Sequence, residues 1–257
     1  MQNYIPGISP MDDKNQYGTL DVQKQLVGLL KHFDSLCVNN GIKYSLSSGS
    51  LLGAVRHGGF IPWDDDVDVT VKRKDFDILV ESVKNDPEFS MSKILWLDRI
   101  RSSSDSGKGS APTIDVFIWD KMPDSAVFRS LKYISIVLCQ GLFKARPSRR
   151  IPTLKRMLMW PMSLIGRIIP EKRKVKLYEK LSLAGNRRNT RYYGGYHDQF
   201  HALNFKYPAS MMDSVERRKF EDIEVSIMAD WDDYLKIIYG PDYMIPTPEA
   251  ERRPRHI

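Results

Sequence analysis

An acidic run that passes into an alternating apolar one sets the architecture of this chain, and it reads Gly59-Phe60-Ile61-Pro62-Trp63-Asp64-Asp65-Asp66-Val67-Asp68-Val69-Thr70-Val71. Within it, four carboxylates occupy five consecutive positions. Like charges at this spacing repel one another, and burying even one of them unpaired is costly. A bound divalent cation is the simplest way to offset that repulsion, so the run indicates a metal site.

The alternation with period two that starts at Asp66 predicts a β-strand. Its apolar members, Val67, Val69 and Val71, face a core on one side of the sheet. Asp66 and Asp68 then project together from the other side, with Cα atoms about 6–7 Å apart. Both side chains can therefore reach one pair of metal ions.

Composition is typical of a folded protein, with 257 residues of which 42% are hydrophobic and 28% charged. Cys37 and Cys139 lack the spacing of metal ligands and form no disulfide framework. Residues 1–20 contain no signal-like apolar stretch, and no uninterrupted apolar run approaches the ~20 residues of a membrane span. We therefore expect a cytoplasmic protein.

The net charge of +7 is unevenly distributed. Residues 144–191 contain 15 Lys or Arg against two Glu, a balance of +13 that leaves the rest of the chain at −6. Apolar stretches at 154–158 and 162–169 alternate with these basic residues. Two interpretations stay open: an interfacial helix on the inner face of an anionic plasma membrane or on a lipid-linked acceptor, and a helical subdomain that packs its apolar side inward.

Periodicity and turn residues divide the chain into four parts. We predict an N-terminal tail at 1–20, an α/β catalytic core at 21–123, a helical basic insertion on the acceptor or membrane side at 124–215, and a C-terminal segment at 216–257 that returns to the core. The core contains predicted helices at 21–40, 51–56 and 74–84 and predicted strands at 42–46, 66–71 and 113–119.

Two further features suit chemistry at phosphorus. Gly49 and Ser50 form a turn between a strand and a helix, where backbone can approach a ligand closely and the first helical amides favour phosphate. Asp115 lies among bulky apolar residues on another predicted strand and supplies a third carboxylate. A phosphate-binding turn with three carboxylates fits metal-dependent transfer of a phosphoryl group.

The long segment Gly49-Ser50-Leu51-Leu52-Gly53-Ala54-Val55-Arg56-His57-Gly58-Gly59-Phe60-Ile61-Pro62-Trp63-Asp64-Asp65-Asp66-Val67-Asp68 resembles the signature of the LicD family. These are phosphotransferases related to the fukutin-type enzymes, within the nucleotidyltransferase superfamily. The resemblance continues at 41–44, 114–117 and 239–244 and at His256, whereas 124–215 carries no matching motif. It implies a nucleotidyltransferase-like fold with a mixed sheet.

The resemblance also implies a reaction and its residues. A phospho-alcohol, most often phosphocholine, moves from a CDP-linked donor to a hydroxyl of a cell-surface glycan or its lipid-linked precursor, and CMP leaves. Asp66 and Asp68 match the metal-binding pair, and two Mg²⁺ ions, or Mn²⁺ in their place, are expected. Asp115 matches the third carboxylate, which completes the metal site or takes the proton of the acceptor hydroxyl.

The same resemblance implies that Gly49 and Ser50 bind the donor phosphates and that Arg56 and His57 make further phosphate contacts. Asp64 is either an additional metal ligand or, with Asp65, a solvated part of the turn. Trp63, Trp96, Trp119 and Trp231 offer aromatic faces to a quaternary ammonium group, although packing in a core is the ordinary role of tryptophan.

Three other functions stay open, two from the residues and one, transfer of ribitol or glycerol phosphate, from the resemblance. A sugar-nucleotide glycosyltransferase uses the same aspartate pair, and a transferase of ribitol or glycerol phosphate fits the same site. A nucleic-acid-binding module would use the basic segment, but the chain lacks aromatic residues interleaved with basic ones and the acidic strand has no purpose there. No nucleic-acid partner is therefore expected.

Overall fold

The computed structural model describes residues 16–105, 111–144, 153–186, 189–198 and 202–254, without the side chains of Lys155 and Leu158. Most of the predicted N-terminal tail and His256 lie outside the described residues. The helices are α1 (Leu20–Asn39), α2 (Ser48–Arg56), α3 (Arg73–Lys84), α4 (Ala126–Phe143), α5 (Thr153–Gly166), α6 (Glu171–Ser182) and α7 (Trp231–Tyr239). The strands are β1 (Tyr44–Leu46), β2 (Val67–Lys72), β3 (Phe89–Ile94), β4 (Leu97–Ser102), β5 (Ile114–Met122), β6 (Tyr192–Gly195), β7 (Tyr207–Pro208), β8 (Val215–Phe220) and β9 (Ile223–Met228).

The main sheet is mixed, which confirms the predicted α/β class. Its order is β1-β2-β5-β4-β3, and β6 joins it by pairing with β5 and with β7. The β2–β5 pair is parallel, whereas the other pairs are antiparallel. Strands β8 and β9 form a separate hairpin. The central parallel pair consists of the two strands that were predicted to carry carboxylates.

Helix α1 covers the main core with an apolar stripe at helical spacing. Leu26, Leu30, Phe33 and Cys37 are fully buried along it. The valines of β2 are fully buried as well, as the period-two pattern predicts. Helix α1 begins at Leu20, one residue earlier than expected, and the Thr19 hydroxyl that precedes it donates to the carbonyl of Pro62 at 2.7 Å. The start of α1 is thereby tied to the loop before the aspartates.

The segment proposed as an insertion is helical only in its first part. Helices α4, α5 and α6 share a second hydrophobic cluster with Trp96 of the β3–β4 hairpin. The chain then returns to the main sheet as β6, which pairs with the second half of β5. Among the described helices, α4 alone is long and apolar enough to cross a membrane, judged by length and composition. Since 39% of it is buried inside the protein and core helices pass the same test, this is weak evidence for a span.

Candidate active site

Three carboxylates converge where β2 and β5 begin. Asp66 precedes β2, Asp68 lies within it, and Asp115 lies within β5 directly beside Asp68 in the parallel register. One carboxylate oxygen from each residue lies within 4.8 Å of those of the other two. Because the strands run in the same direction, their first residues meet at one edge of the sheet. We call these three residues the aspartate triad.

Burial and the mutual repulsion of its carboxylates both disfavour the charged form of the triad. Burial raises the pKa of Asp68 well above its ordinary value, and the neighbouring charges of Asp66, Asp115, Asp64 and Asp198 raise it further. Burial also raises the pKa of Asp115, although Arg99 opposes that rise. Oxygen ligands that converge in this way fit a hard divalent cation such as Mg²⁺ or Mn²⁺.

Arg99 orients the third carboxylate. It lies on β4 opposite Asp115, its Nε is 2.8 Å from Asp115 Oδ1, and its Nη2 donates to Oδ2 at 3.0 Å. Thr113 adds a hydroxyl that donates to Oδ1 at 3.2 Å. Sequence reasoning missed Arg99 because no strand was predicted there, although Leu97–Ser102 alternates polar and apolar residues over part of its length.

The first turn of α2 is fixed against the triad by hydrogen bonds. The Asp68 N–H donates to the Ser50 hydroxyl at 2.9 Å, and the Ser47 N–H donates to the Asp68 carbonyl at the same distance. The amides of Gly49 and Ser50 therefore lie at a helix N-terminus beside a carboxylate strand, where donor phosphates are expected. Helix α2 begins at Ser48, earlier than the predicted residue 51.

Two groups near this turn were not singled out from the sequence. The Ser47 hydroxyl is buried and makes no hydrogen bond within the described part of the chain. The Ser48 N–H donates to the hydroxyl of Tyr234 on α7 at 3.3 Å, so the C-terminal segment returns to the site. The contact between Ser48 and Tyr234 has no local sequence signal, because the two residues are 186 positions apart.

Asp64 lies directly against Gly49 in the first turn of α2. A Cβ added to Gly49 would be 2.9 Å from Asp64 Oδ2, so a larger residue there would require this carboxylate to shift. The Gln23 side-chain amide donates to the Asp64 carbonyl at 2.8 Å and holds this part of the loop. Asp65 is buried, which argues against a solvated turn at that position. Whether Asp64 binds metal stays a prediction.

Arg56 and His57 lie at the opposite end of α2, about 10 Å along the helix from Gly49. Arg56 Nη1 donates to the carbonyl of Tyr243 at 3.2 Å, which places it against the C-terminal segment. Burial, with a smaller contribution from the charge of Arg56, lowers the pKa of His57 to about 4. A neutral His57 would contribute to phosphate binding through a hydrogen bond rather than a charge. The phosphate roles of both residues stay predictions.

The four tryptophans that were considered as faces for a quaternary ammonium group differ in accessibility. Trp96 and Trp119 are buried in the two hydrophobic clusters, and Trp119 stacks on Tyr207 with 4.2 Å between ring centroids. Their faces are used in packing. Trp63 and Trp231 are partly buried, and the guanidinium groups of Arg252 and Arg218 lie 5.2 and 5.4 Å from their ring centroids.

A further acidic residue, from the segment that carried no recognisable motif, acts on the triad through its charge. Asp198 follows β6, and its charge contributes to the raised pKa of Asp68. Its backbone carbonyl accepts a hydrogen bond from the Gln140 side chain of α4 at 3.1 Å. The helical segment thus contacts the turn that carries this carboxylate.

Comparisons with known proteins agree with this geometry. Residues 41–131 match the family model described as LicD/FKTN/FKRP, nucleotidyltransferase domain. The lipopolysaccharide cholinephosphotransferase LicD of Haemophilus influenzae is 27% identical over 91% of this chain and 95% of that protein. Ribitol 5-phosphate transferase FKRP of Homo sapiens is 57% identical over 35 residues, 14% of this chain and 7% of that protein. An uncharacterized protein of Rickettsia prowazekii, RP689, is 50% identical over 50 residues, 20% of this chain and 19% of that protein.

The mixed sheet with three carboxylates beside a helix N-terminus agrees with the match of residues 41–131 to a nucleotidyltransferase domain, which places this part of the chain in the nucleotidyltransferase class. Within that class, the chain carries the LicD-family nucleotidyltransferase domain and is a LicD-type phosphotransferase.

Proposed function

We propose that this enzyme transfers phosphocholine from CDP-choline to a hydroxyl group of a glycan or a lipid-linked glycan precursor, with release of CMP. The observation that carries the proposal is the convergence of the aspartate triad within 4.8 Å beside the first turn of α2. Choline is preferred over ribitol because the relative aligned over nearly the whole of both chains is a cholinephosphotransferase. The match to the ribitol phosphate transferase covers only 35 residues.

The donor would bind with its pyrophosphate on the amides of Gly49 and Ser50. These amides lie at the positive end of the α2 dipole, which favours anions. The Ser47 hydroxyl has its donor capacity available within the described residues and can add one hydrogen bond. The phosphorus next to the transferred alcohol would then face the triad.

In the proposed step, an acceptor oxygen attacks that phosphorus, and the bond to the bridging oxygen breaks so that CMP leaves with it. The proton of the acceptor hydroxyl passes to a carboxylate, for which Asp115 is the candidate. Arg99 would hold Asp115 in place during this transfer. Asp66 and Asp68 would hold divalent cations, with Mg²⁺ preferred and Mn²⁺ as the alternative. When bound, the cations neutralise the phosphate oxygens.

In this proposal the enzyme works in the cytoplasm. Cys37 and Cys139 are both buried free thiols, which fits a reducing compartment.

A donor screen tests the proposal. The purified protein is incubated with CDP-choline, CDP-ribitol or CDP-glycerol, each with Mg²⁺ and with chelator, and CMP is measured. Release of CMP from CDP-choline that requires Mg²⁺ is the expected result. Faster turnover of CDP-ribitol or CDP-glycerol would overturn the choice of alcohol, and release of UDP from UDP-sugars would favour the glycosyltransferase.

Asp68→Asn should abolish CMP release while the protein remains folded. The matched control is Asp222→Asn, which removes an exposed carboxylate from the turn of the β8–β9 hairpin and should keep full activity. Near-normal turnover by a folded Asp68→Asn protein with Mg²⁺ present would contradict the assigned role of the triad.

A further inference from the structure

Helix α5 presents large apolar side chains to solvent. Its outward residues recur at helical spacing and are Leu154, Met157, Trp160, Leu164, Ile165 and, just past its end, Ile168; we call them the α5 apolar face. Their exposure is high, reaching 60% for Trp160 and 83% for Ile168. A helix on the surface of a protein in water normally presents its polar side outward, so this orientation is reversed.

The inward side of α5 carries small residues together with the fully buried Met159. Ser163 and Gly166 are buried against α4, and a Cβ added to Gly166 would be 2.0 Å from the carbonyl oxygen of Leu142. Lys174 Nζ lies 3.3 and 3.5 Å from the carbonyls of Gly166 and Leu142, which fixes the two helix ends together. The two helices therefore approach closely at Gly166, and of the large apolar side chains of α5 only Met159 is fully buried among those described.

The apolar exposure is concentrated in this part of the molecule. Of the eighteen exposed large hydrophobic side chains among the described residues, twelve lie between Val127 and Leu183. Scattered surface hydrophobics are ordinary, but a concentrated set marks an interaction surface.

The helical segment that carries the α5 apolar face is rich in basic residues. Residues 153–186 contain eight Lys or Arg against two Glu. Three exposed cations, Lys172, Arg173 and Lys176, follow Ile168 in the first turns of α6. A tryptophan, aliphatic side chains and flanking cations are the combination that inserts into the boundary of an anionic bilayer.

We infer that α5 docks on the surface of an anionic lipid bilayer, with its apolar face in the headgroup boundary and the cations of α6 on the lipid phosphates. The charge decides between candidate occupants. A second copy of the chain would bring two positively charged faces together, which electrostatic repulsion disfavours, whereas an anionic membrane attracts each cation near its surface. The inference does not depend on the nature of the transferred alcohol.

Vesicle co-sedimentation tests this inference with the full chain. The probes are vesicles of phosphatidylcholine alone and vesicles in which a third of the lipid is phosphatidylglycerol. Binding should be at least about tenfold stronger to the anionic vesicles and should weaken as salt is raised. Equal binding to both, or none to either, would overturn the inference.

Two triple variants locate the surface. Trp160→Ser/Leu164→Ser/Ile168→Ser should lower the partition coefficient on anionic vesicles by more than about tenfold, because the inserted apolar area is lost. Lys172→Glu/Arg173→Glu/Lys176→Glu should lower it by about a hundredfold or more, because each cation contributes at the surface. The changed side chains are exposed, and circular dichroism would verify that both proteins are folded.

Matched controls change equally exposed residues elsewhere. Val38→Ser/Ile78→Ser/Ile245→Ser and Lys24→Glu/Lys31→Glu/Lys84→Glu should retain at least half of the wild-type binding. Loss of binding in both control proteins to the same degree as in the α5 and α6 variants would overturn the location. A wild-type dimer in sedimentation velocity that the serine variant abolishes, without vesicle binding by the wild type, would instead identify a second copy as the occupant.

Discussion

At the scale of single residues, the glycines and the aspartates of the signature segment are required for different physical reasons. Gly49 leaves room for the Asp64 carboxylate, and Gly53 lets the returning chain lie across α2, since a Cβ added there would be 2.5 Å from the carbonyl oxygen of Gly59. The aspartates are the opposite case, because placing several carboxylates close together costs stability, and a bound cation would offset part of that cost.

Gly53→Ala should destabilise the protein by about 1–3 kcal/mol, because the methyl group meets a backbone carbonyl that cannot move without shifting the loop before the aspartates. The matched change is Gly28→Ala on α1, where nothing lies within 4 Å of the added Cβ. It should stabilise by about 0.4–1 kcal/mol. Urea unfolding of both variants checks the opposite signs, and destabilisation by both would contradict the argument.

Asp68→Asn should raise the free energy of unfolding by about 1 kcal/mol when a chelator is present. The reason is that the substitution removes one of three carboxylates that repel one another within 4.8 Å. Unfolding in urea with chelator measures the change. A loss of stability in these conditions would indicate that the triad is compensated by contacts within the protein.

At the scale of elements, α6 is held to the core by a cluster of charges. Glu179 accepts a hydrogen bond from Arg73 Nη1 at 2.7 Å, and Lys93 Nζ and His197 Nε2 lie at 3.8 and 3.5 Å from its carboxylate. Burial alone would raise the pKa of Glu179, but the close contact with His197 and the charges of Arg73 and Lys93 lower it to about 2. This carboxylate therefore links α6 to the start of α3 and to the turn after β6.

Because the pKa of Glu179 is lower in the folded protein than its ordinary 4.5, its contribution is complete above pH 4.5 and is lost as the pH falls toward 2. Glu179→Gln should cost about 2 kcal/mol at neutral pH, less than the full shift implies because the carboxylate is about a third exposed. The difference between wild type and variant in urea unfolding should shrink over this pH range. The control is Glu81→Gln, an exposed change on α3, which should have no measurable effect on the free energy of unfolding. A stability difference between wild type and Glu179→Gln that stays constant with pH would contradict the assignment.

Local patterns predicted the elements whose residues repeat with a clear period. The alternation from Asp66 and the apolar stripe of α1 correspond to β2 and α1 within about two residues, and the carboxylates of Asp66, Asp68 and Asp115 meet as expected. Arg99, Asp198 and Tyr234 were missed because each reaches the site through pairing or packing between distant segments. A single sequence contains no local signal for such contacts.

At the scale of the whole molecule, the chain divides its charge between two surfaces. The triad lies at one edge of the sheet, while the excess of Lys and Arg lies in the helical segment that leaves β5 and returns to it as β6. The aspartate triad is suited to binding cations, and the basic helical segment is suited to binding anions.

Mg²⁺ should stabilise the folded chain, because the triad exists only when β2 and β5 are paired. At a cation concentration about one hundred times its dissociation constant the gain is about 2.7 kcal/mol. For a protein of this size that corresponds to a rise in Tm of about 5–10 °C. Thermal unfolding with Mg²⁺, with Mn²⁺ and with Na⁺ at equal ionic strength measures the shift, which chelator should reverse. An equal shift in Asp68→Asn would place the ion elsewhere.

The two hydrogen bonds between Asp68 and the start of α2 bear on the order in which this protein folds and on how its sequence can diverge. Ser50 and Asp68 are only eighteen positions apart, so the loop that their hydrogen bond closes is short and its entropic cost is low. The contact between the first turn of α2 and β2 can therefore form early, before β5 brings Asp115 into place and before α7 docks. A unit closed by its own contacts can also be inherited intact while the surrounding chain diverges.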